Sequence, residues 1–434
     1  MFNFFKWPIA MAMLLGSLAS AIANDRDHDG RRIGHVFVIV LENEGFDTTF
    51  GPNSLAPFLS KTLPSQGVML NQYYATGHVS LDNYIAMISG QAATVQTRVD
   101  CTFYDDVQLT GITPDGQAIG TGCVYPAKIK TLADQLTAAH KTWRGYMEDM
   151  GKNPAREQTT CGQPLITVNG VTQVALNQLD GTQGAEAFPG GDQYAARHNP
   201  FVYFHSLIDS GECAKHVVNF SQFQQDLLHE STTPNFSFIT PNLCHDGHDG
   251  NGTTTKCKNT VEPGGLVSAD AFLKQVVPMI QNSPAYKEDG LIIVTFDEAG
   301  LDFDAANGQI TAEGVSCCGQ QPGPNLAPLI VPGQPLKLGF ENTPRGTPPN
   351  FFETTQGFGG DRTGAVLLSP FLKPGTVSNV PFNHYSMLKT IEDIFGLGHL
   401  GYAGQPGLQG FFGCANSDIS IRADDDQFGR CERD

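Results

Sequence analysis

Four short apolar runs, at residues 35–41, 236–240, 291–296 and 365–369, constrain this chain more than any other feature. Each has the length of a strand and is apolar on both faces, the pattern of a parallel strand buried between two layers. Segments with helical spacing separate them: Leu81, Ile85 and Ile88; Ile129, Leu132 and Leu136; Phe272, Val276, Val277 and Ile280; Met387, Leu388, Ile391 and Ile394. Each set falls on one helix face. The alternation predicts an α/β fold, a doubly wound and mostly parallel sheet with helices on both faces. No repeat or Pro/Ser linker divides the chain, so a single domain over 24–434 is expected. Loop insertions are expected near 151–193 and 302–360, where Gly, Gln, Thr and Pro interrupt the alternation.

The N-terminus bears on the compartment. Lys6 precedes an apolar run over 7–18 and the small-residue triplet Ala21-Ile22-Ala23, the pattern of a signal peptide (1–23) cut after Ala23. The run is shorter than the roughly 20 residues a bilayer span needs. No later stretch is long and apolar enough to span, so a secreted or periplasmic protein with no integral membrane segment after cleavage is expected. Asp25 to Gly30 begins like a calcium loop, but its twelfth position is Val36 where a bidentate glutamate is needed. All ten cysteines lie beyond residue 23, in a compartment where disulfides persist. Proximity suggests Cys101 with Cys123, Cys161 with Cys213, Cys244 with Cys257 and Cys414 with Cys431, leaving the adjacent Cys317 and Cys318; spacing alone does not fix connectivity. The net charge of −18 disfavours nucleic acid and anionic membrane surfaces as partners, because both are polyanions. Such a chain can still take a phosphate where a cation is bound.

In an open parallel sheet, ligands bind outside the carboxyl ends of the strands. Glu42-Asn43-Glu44 follows the first run, Cys244-His245-Asp246-Gly247-His248-Asp249 lies just past the second, and Asp297-Glu298 follows the third. Each could be an ordinary turn, since Asp, Asn and Gly form turns readily. Three acidic groups on strand ends instead suggest a divalent cation that offsets their mutual repulsion. Oxygen and imidazole donors suit zinc, manganese, iron or calcium, and donor type does not choose among them.

Two further segments bear on the site. Ser80 stands where a helix would begin, with Leu81, Ile85 and Ile88 as its buried stripe and Gly90 as its terminator. A helix start favours an anion, so a phosphate arriving there would be held, although serine commonly does no more than cap. His384 precedes an amphipathic helix and by itself reads as a capping or partly buried histidine.

Taken together, Glu42-Asn43-Glu44-Gly45-Phe46-Asp47, His78-Val79-Ser80-Leu81-Asp82-Asn83-Tyr84, Cys244-His245-Asp246-Gly247-His248-Asp249, Thr295-Phe296-Asp297-Glu298 and His384-Tyr385-Ser386 resemble the phosphoesterase family of secreted bacterial and fungal acid phosphatases and phospholipases C, within the alkaline-phosphatase-like superfamily. The resemblance implies that Ser80 is a nucleophile forming a phosphoserine. It also implies that Glu42, Asn43, Asp246, His248, Asp297, Glu298 and His384 are metal ligands. His78 or His245 would protonate the leaving group, and His245-Asp246-Gly247 stands where relatives carry Asn-Asp-Met. The implied substrate is a small phosphate monoester. A phospholipid head group and phospholipase C chemistry form the alternative, and a non-catalytic metal- or surface-binding protein on the same fold is the rival from another class. The Cys-x-Pro-x-Arg and Ser-x-Pro-x-Arg segments of sulfatases and the Gly-x-Ser-x-Gly elbow of serine esterases are absent.

Overall fold

The computed structural model describes residues 1, 33–186, 188, 190–252, 257, 260–304, 309–330, 336–340, 351–353, 357–413 and 419. The expected signal peptide, the Asp25–Gly30 segment and the Cys414–Cys431 pair lie outside the described residues.

An eight-stranded sheet organises the chain. In chain order its strands are β1 (His35–Leu41), β2 (Val68–Leu70), β3 (Trp143–Met147), β4 (Val217–Asn219), β5 (Phe236–Thr240), β6 (Gly290–Phe296), β7 (Ala365–Leu368) and β8 (Thr376–Ser378). Across the sheet they run β8-β2-β7-β6-β1-β5-β3-β4. Among the described residues the longest helices are α1 (Ser80–Ser89), α2 (Leu132–Ala138), α3 (Gly265–Asn282) and α4 (His384–Phe395).

The central strand shows why the apolar runs lack alternation. Val36, Val38 and Val40 of β1 pack into one core with side chains of α1, α2 and α4, including Leu81, Leu132 and Met387. Phe37, Ile39 and Leu41 pack into a second core with Leu266, Leu273 and Val277 of α3. A strand with helices over both faces buries every side chain, each large aliphatic one contributing roughly 1.5–3 kcal/mol. The fold is thus doubly wound, as expected from sequence.

One strand departs from expectation. The run at 365–369 is predicted to be parallel, yet β7 is antiparallel to both β6 and β2, while the other neighbouring pairs of the sheet are parallel. The reason lies in the excursion between β6 and β7. It builds its own antiparallel sheet from Asp302–Asp304, Gln309–Ala312, Leu336–Phe340 and Phe351–Glu353, and it returns to the edge it left. The Ala299 amide, just past β6, donates to the Gly360 carbonyl at 3.0 Å, just before β7. No crossover carries the chain to the far edge, so β7 must enter backwards. Gly360 is needed at this seam, since a Cβ there would sit 2.2 Å from the Gly77 carbonyl oxygen.

The other insertion, 151–193, carries a hairpin of Leu165–Val168 and Val171–Val174. Disulfides join Cys101 to Cys123, Cys161 to Cys213, Cys244 to Cys257 and Cys317 to Cys318. No described helix is long and apolar enough to cross a membrane.

Candidate active site

The register of the sheet creates the site. Leu41 of β1 lies beside Phe296 of β6, so the residues that follow them emerge together. The Asp297 amide donates to the Leu41 carbonyl and the Glu42 amide to the Asp246 carbonyl, both at 2.8 Å. Three strand-end segments are thereby laced into one floor. Asn43 takes a left-handed φ of 60°, a conformation asparagine tolerates better than most residues, and its amide donates to Asp297 Oδ1 at 3.1 Å. Asp297 Oδ1 also accepts from the Glu298 amide at 2.7 Å.

Ser80 reaches this floor from α1. Five hydrogen bonds through Asn83 pin the turn ahead of the helix: its Oδ1 accepts from the amides of Thr76 and Gly77 and from the Thr76 hydroxyl, and its Nδ2 donates to the carbonyls of Gly77 and Val79. Val79 takes the capping position and Ser80 is the first helical residue, so the helix begins one residue earlier than expected. The hydroxyl does not cap the helix. It donates to Glu42 Oε1 at 2.6 Å. The amide of Leu81 is satisfied by Asp100 Oδ1 at 2.9 Å, which leaves the Ser80 oxygen to the floor. Gly90, at φ 66°, ends the helix.

Five buried oxygens at the floor have no hydrogen-bond partner among the described residues: Glu42 Oε2, Asn43 Oδ1, Asp246 Oδ2, Asp297 Oδ2 and Glu298 Oε1. Buried oxygens are normally hydrogen-bonded, and burying an isolated carboxylate costs far more than its pairing can spare. The charge states report the same deficit. Burial raises Asp297 well above the usual carboxylate range, reinforced by Glu42 and Glu298; burial raises Asp246 likewise, with Glu42 adding to it. Glu298 is pushed up by burial and then by Asp82. Glu42 alone is held well below that range: burial works against it, but the charges of His198 and Arg197 prevail. Glu42, His198 and Asp246 each offer an atom within 4.8 Å of the other two, so this buried cluster could hold a metal ion.

Three predicted histidines have other partners. His384 Nε2 donates to the Asp297 carbonyl at 2.6 Å and Nδ1 meets the Tyr73 hydroxyl at 2.8 Å, so neither nitrogen is left to ligate a metal. Burial takes its imidazole down to about 4. His78 bonds Glu298 through Nδ1 and Asp361 Oδ2 through Nε2 at 3.2 Å, so it has no nitrogen spare for a leaving group. His245 pairs with Glu148 and Glu262 at 2.9 Å each and stacks on Phe272, bordering a cleft of about 310 Å³ of which Glu42 and Ser80 form no part. A second cleft, of about 450 Å³, opens near Lys130 and His399, also without those residues. His248 does join the cluster. Its side chain is 49% exposed with Nδ1 3.7 Å from Glu42 Oε2; burial opposes its charge, but Glu42 and Asp249 push the imidazole up to about 9.

The Phosphoesterase family model matches residues 53–398 of this chain. The chain belongs to that family. Among curated relatives, the phosphate-repressible acid phosphatase of Penicillium chrysogenum is 30% identical over 60% of this chain and 47% of its own length. The probable acid phosphatase of Kluyveromyces lactis is 26% identical over 63% and 49%. The phosphatidylinositol-3-phosphatase of Mycobacterium tuberculosis is 23% identical over 85% and 79%. This phosphoesterase-family chain therefore spans about half the length of the fungal relatives it matches. Of solved structures, a protein of the alkaline phosphatase superfamily from Vibrio parahaemolyticus is similar at 13% identity and a TM-score of 0.40, over 85% of this chain and 68% of that one.

Two members of the cluster escape the strand-end rule. His198 Nε2 bonds Glu42 Oε1 at 2.8 Å, and its ring stacks on Tyr84, four residues beyond Ser80 on α1. Arg197 lies 3.6 Å from Glu42 Oε1 and 3.4 Å from Asp100. Both sit in a single turn, Ala196–His198, that follows the 151–193 insertion rather than a strand of the sheet. The one available signal was the pairing of two basic residues, Arg197-His198, in a chain with only 26 lysines and arginines against 44 acids.

Proposed function

We propose that this chain is an exported phosphate-ester hydrolase of the acid-phosphatase kind, with Ser80 as nucleophile and a divalent cation held by Glu42, Asn43, Asp246, Asp297 and Glu298. The observation that carries this reading is the set of five buried oxygens without a hydrogen-bond partner among the described residues, together with a serine hydroxyl that bonds Glu42 and does not cap its helix. All five are hard donors, a set that suits a divalent cation. When bound, such an ion draws charge from a serine oxygen and from phosphoryl oxygens.

The residues of the chain supply the rest. Glu42 Oε1 accepts the Ser80 proton, and His198 and Arg197 keep that carboxylate ionised and ready for it. The Ser80 oxygen forms a bond to phosphorus as the bond to the alcohol oxygen breaks, and the alcohol leaves with a proton. His248, half exposed with Nδ1 3.7 Å from Glu42 Oε2, would supply that proton. Water then attacks the phosphoserine, releasing phosphate and restoring the hydroxyl. The named activities of the fungal relatives support a small monoester as substrate. The mycobacterial relative, named for a phosphoinositide, favours a lipid head-group phosphate as a second substrate. The four disulfides support export.

Hydrolysis of a chromogenic phosphate monoester tests the proposal. Turnover should vanish on chelation and return with one of zinc, manganese, iron or calcium. A protein that turns over neither mono- nor diesters with any of these ions would instead be a binding protein on this fold.

A further inference from the structure

Asp297 is held unusually tightly for a residue in a turn. Its Oδ1 takes the amides of Asn43 and Glu298, and its carbonyl takes His384 Nε2. Of its side-chain oxygens, Oδ2 alone has no hydrogen-bond partner among the described residues. The histidine is fixed in turn by two local devices. Asn383 caps α4 by accepting from the Ser386 amide at 3.0 Å, which makes His384 the first helical residue. A short parallel pairing sets Phe382 beside Tyr73 and Asn383 beside Tyr74, so the Tyr73 ring comes within 5.5 Å of the His384 ring, centroid to centroid.

The hydrogen-bond roles in this chain follow from chemistry. A backbone carbonyl can only accept, so His384 Nε2 carries the hydrogen. Neither ring nitrogen has a carboxylate among its hydrogen-bond partners that would support a second proton, so Nδ1 holds a lone pair and accepts from the Tyr73 hydroxyl. Tyr73, His384 and the Asp297 carbonyl, drawn from three distant parts of the sequence, form one directional relay inside a fully buried region.

We propose that His384 is a positioning residue: the relay from Tyr73 through His384 to the Asp297 carbonyl locks the β6 strand end in the one orientation that turns Asp297 Oδ2 and Glu298 Oε1 toward Ser80. The proposal rests on the functional reading above for where the chemistry occurs. It replaces the metal-ligand role that the sequence suggests for His384. Groups that orient ligands without touching the metal commonly matter about 10–100-fold in affinity or activity.

The test compares His384→Ala, His384→Gln, Tyr73→Phe and Ser80→Ala in the full chain. Three readouts are taken: kcat and KM for a chromogenic monoester, calorimetric titration of manganese into the chelator-treated protein, and the nitrogen NMR signature of the His384 tautomer. Glutamine places an amide N–H where the imidazole Nε2–H stood. His384→Ala should lower kcat and manganese affinity about 10–100-fold with KM unmoved. His384→Gln should recover most of that loss, and Tyr73→Phe should show a smaller loss in the same direction with a shifted tautomer signature. Wild-type kcat and manganese affinity in His384→Ala, alongside an inactive Ser80→Ala, would overturn the relay and leave the functional reading intact. Equal losses in the alanine and glutamine variants would overturn it too, reducing His384 to packing. Should Ser80→Ala stay active, the functional reading fails, and manganese affinity with the tautomer signature then decides the relay alone.

Discussion

His245 and Asp246 are neighbours in one loop, yet they belong to opposite electrostatic regimes. His245 lies between Glu148 and Glu262, each charge matched at 2.9 Å and the group partly open to solvent. Asp246 is completely buried, its Oδ2 has no hydrogen-bond partner among the described residues, and His198 Nδ1 lies 3.9 Å from it. The first group is complete without any ligand. The second belongs to a buried cluster with Glu42 and His198 that could hold a metal ion. Motif membership therefore says less about function than whether each buried oxygen has a partner.

The comparison can be broken at four points, in decreasing order of expected effect. Ser80→Ala should remove turnover by about 10⁴-fold or more while circular dichroism and melting stay unchanged, because the hydroxyl serves the floor and not the helix. Asp297→Asn removes one of the four carboxylates of the floor without changing shape. Its manganese affinity, read by calorimetry, should fall beyond the about 10–100-fold that loss of an outer partner costs. A smaller effect is expected from Glu157, whose carboxyl, buried and then opposed by Asp192, is raised to about 9. Between its unfolded value of 4.5 and that level the folded state holds the extra proton, so stability falls as pH rises through this window. Melting curves should show a shallower decline between about pH 5 and pH 8 in Glu157→Gln than in the parent chain. Least of all, Glu262→Gln removes half of the His245 pairing at a group that is 45% exposed, worth about 0–1 kcal/mol, and should leave kcat unmoved. A large loss of turnover in that last variant would erase the contrast between the two groups.

The parts of this architecture that could be read in sequence are those where local pattern and global role coincide. β1, β5 and β6 are buried on both faces, so their apolar runs carry no competing signal, and the carboxylates at their ends fall where the sheet concentrates ligand sites. The direction of β7 was not legible. A run of four apolar residues is the same in either direction, and what reverses it is the return of the 302–360 excursion to its own edge. The histidines show the limit most clearly. His384 opens a helix and His78 lies just ahead of one, but hydrogen bonds from distant segments decide what each nitrogen does. His198 reaches Glu42 from a turn that no periodicity marks. Its role depends on stacking against Tyr84 of α1, a contact that exists only once the sheet is assembled.

The central claim is that the strand-end oxygens of Glu42, Asn43, Asp246, Asp297 and Glu298 and the Ser80 hydroxyl form one chemical unit, with the serine as the group that takes the phosphoryl. Rapid acid quench of the metal-loaded protein during turnover of a phosphate monoester, followed by peptide mass spectrometry, addresses it most directly. Phosphate on the peptide containing Ser80, absent from chelated protein, is the predicted result. Steady turnover with no phosphopeptide, or with phosphate on another residue, would contradict it.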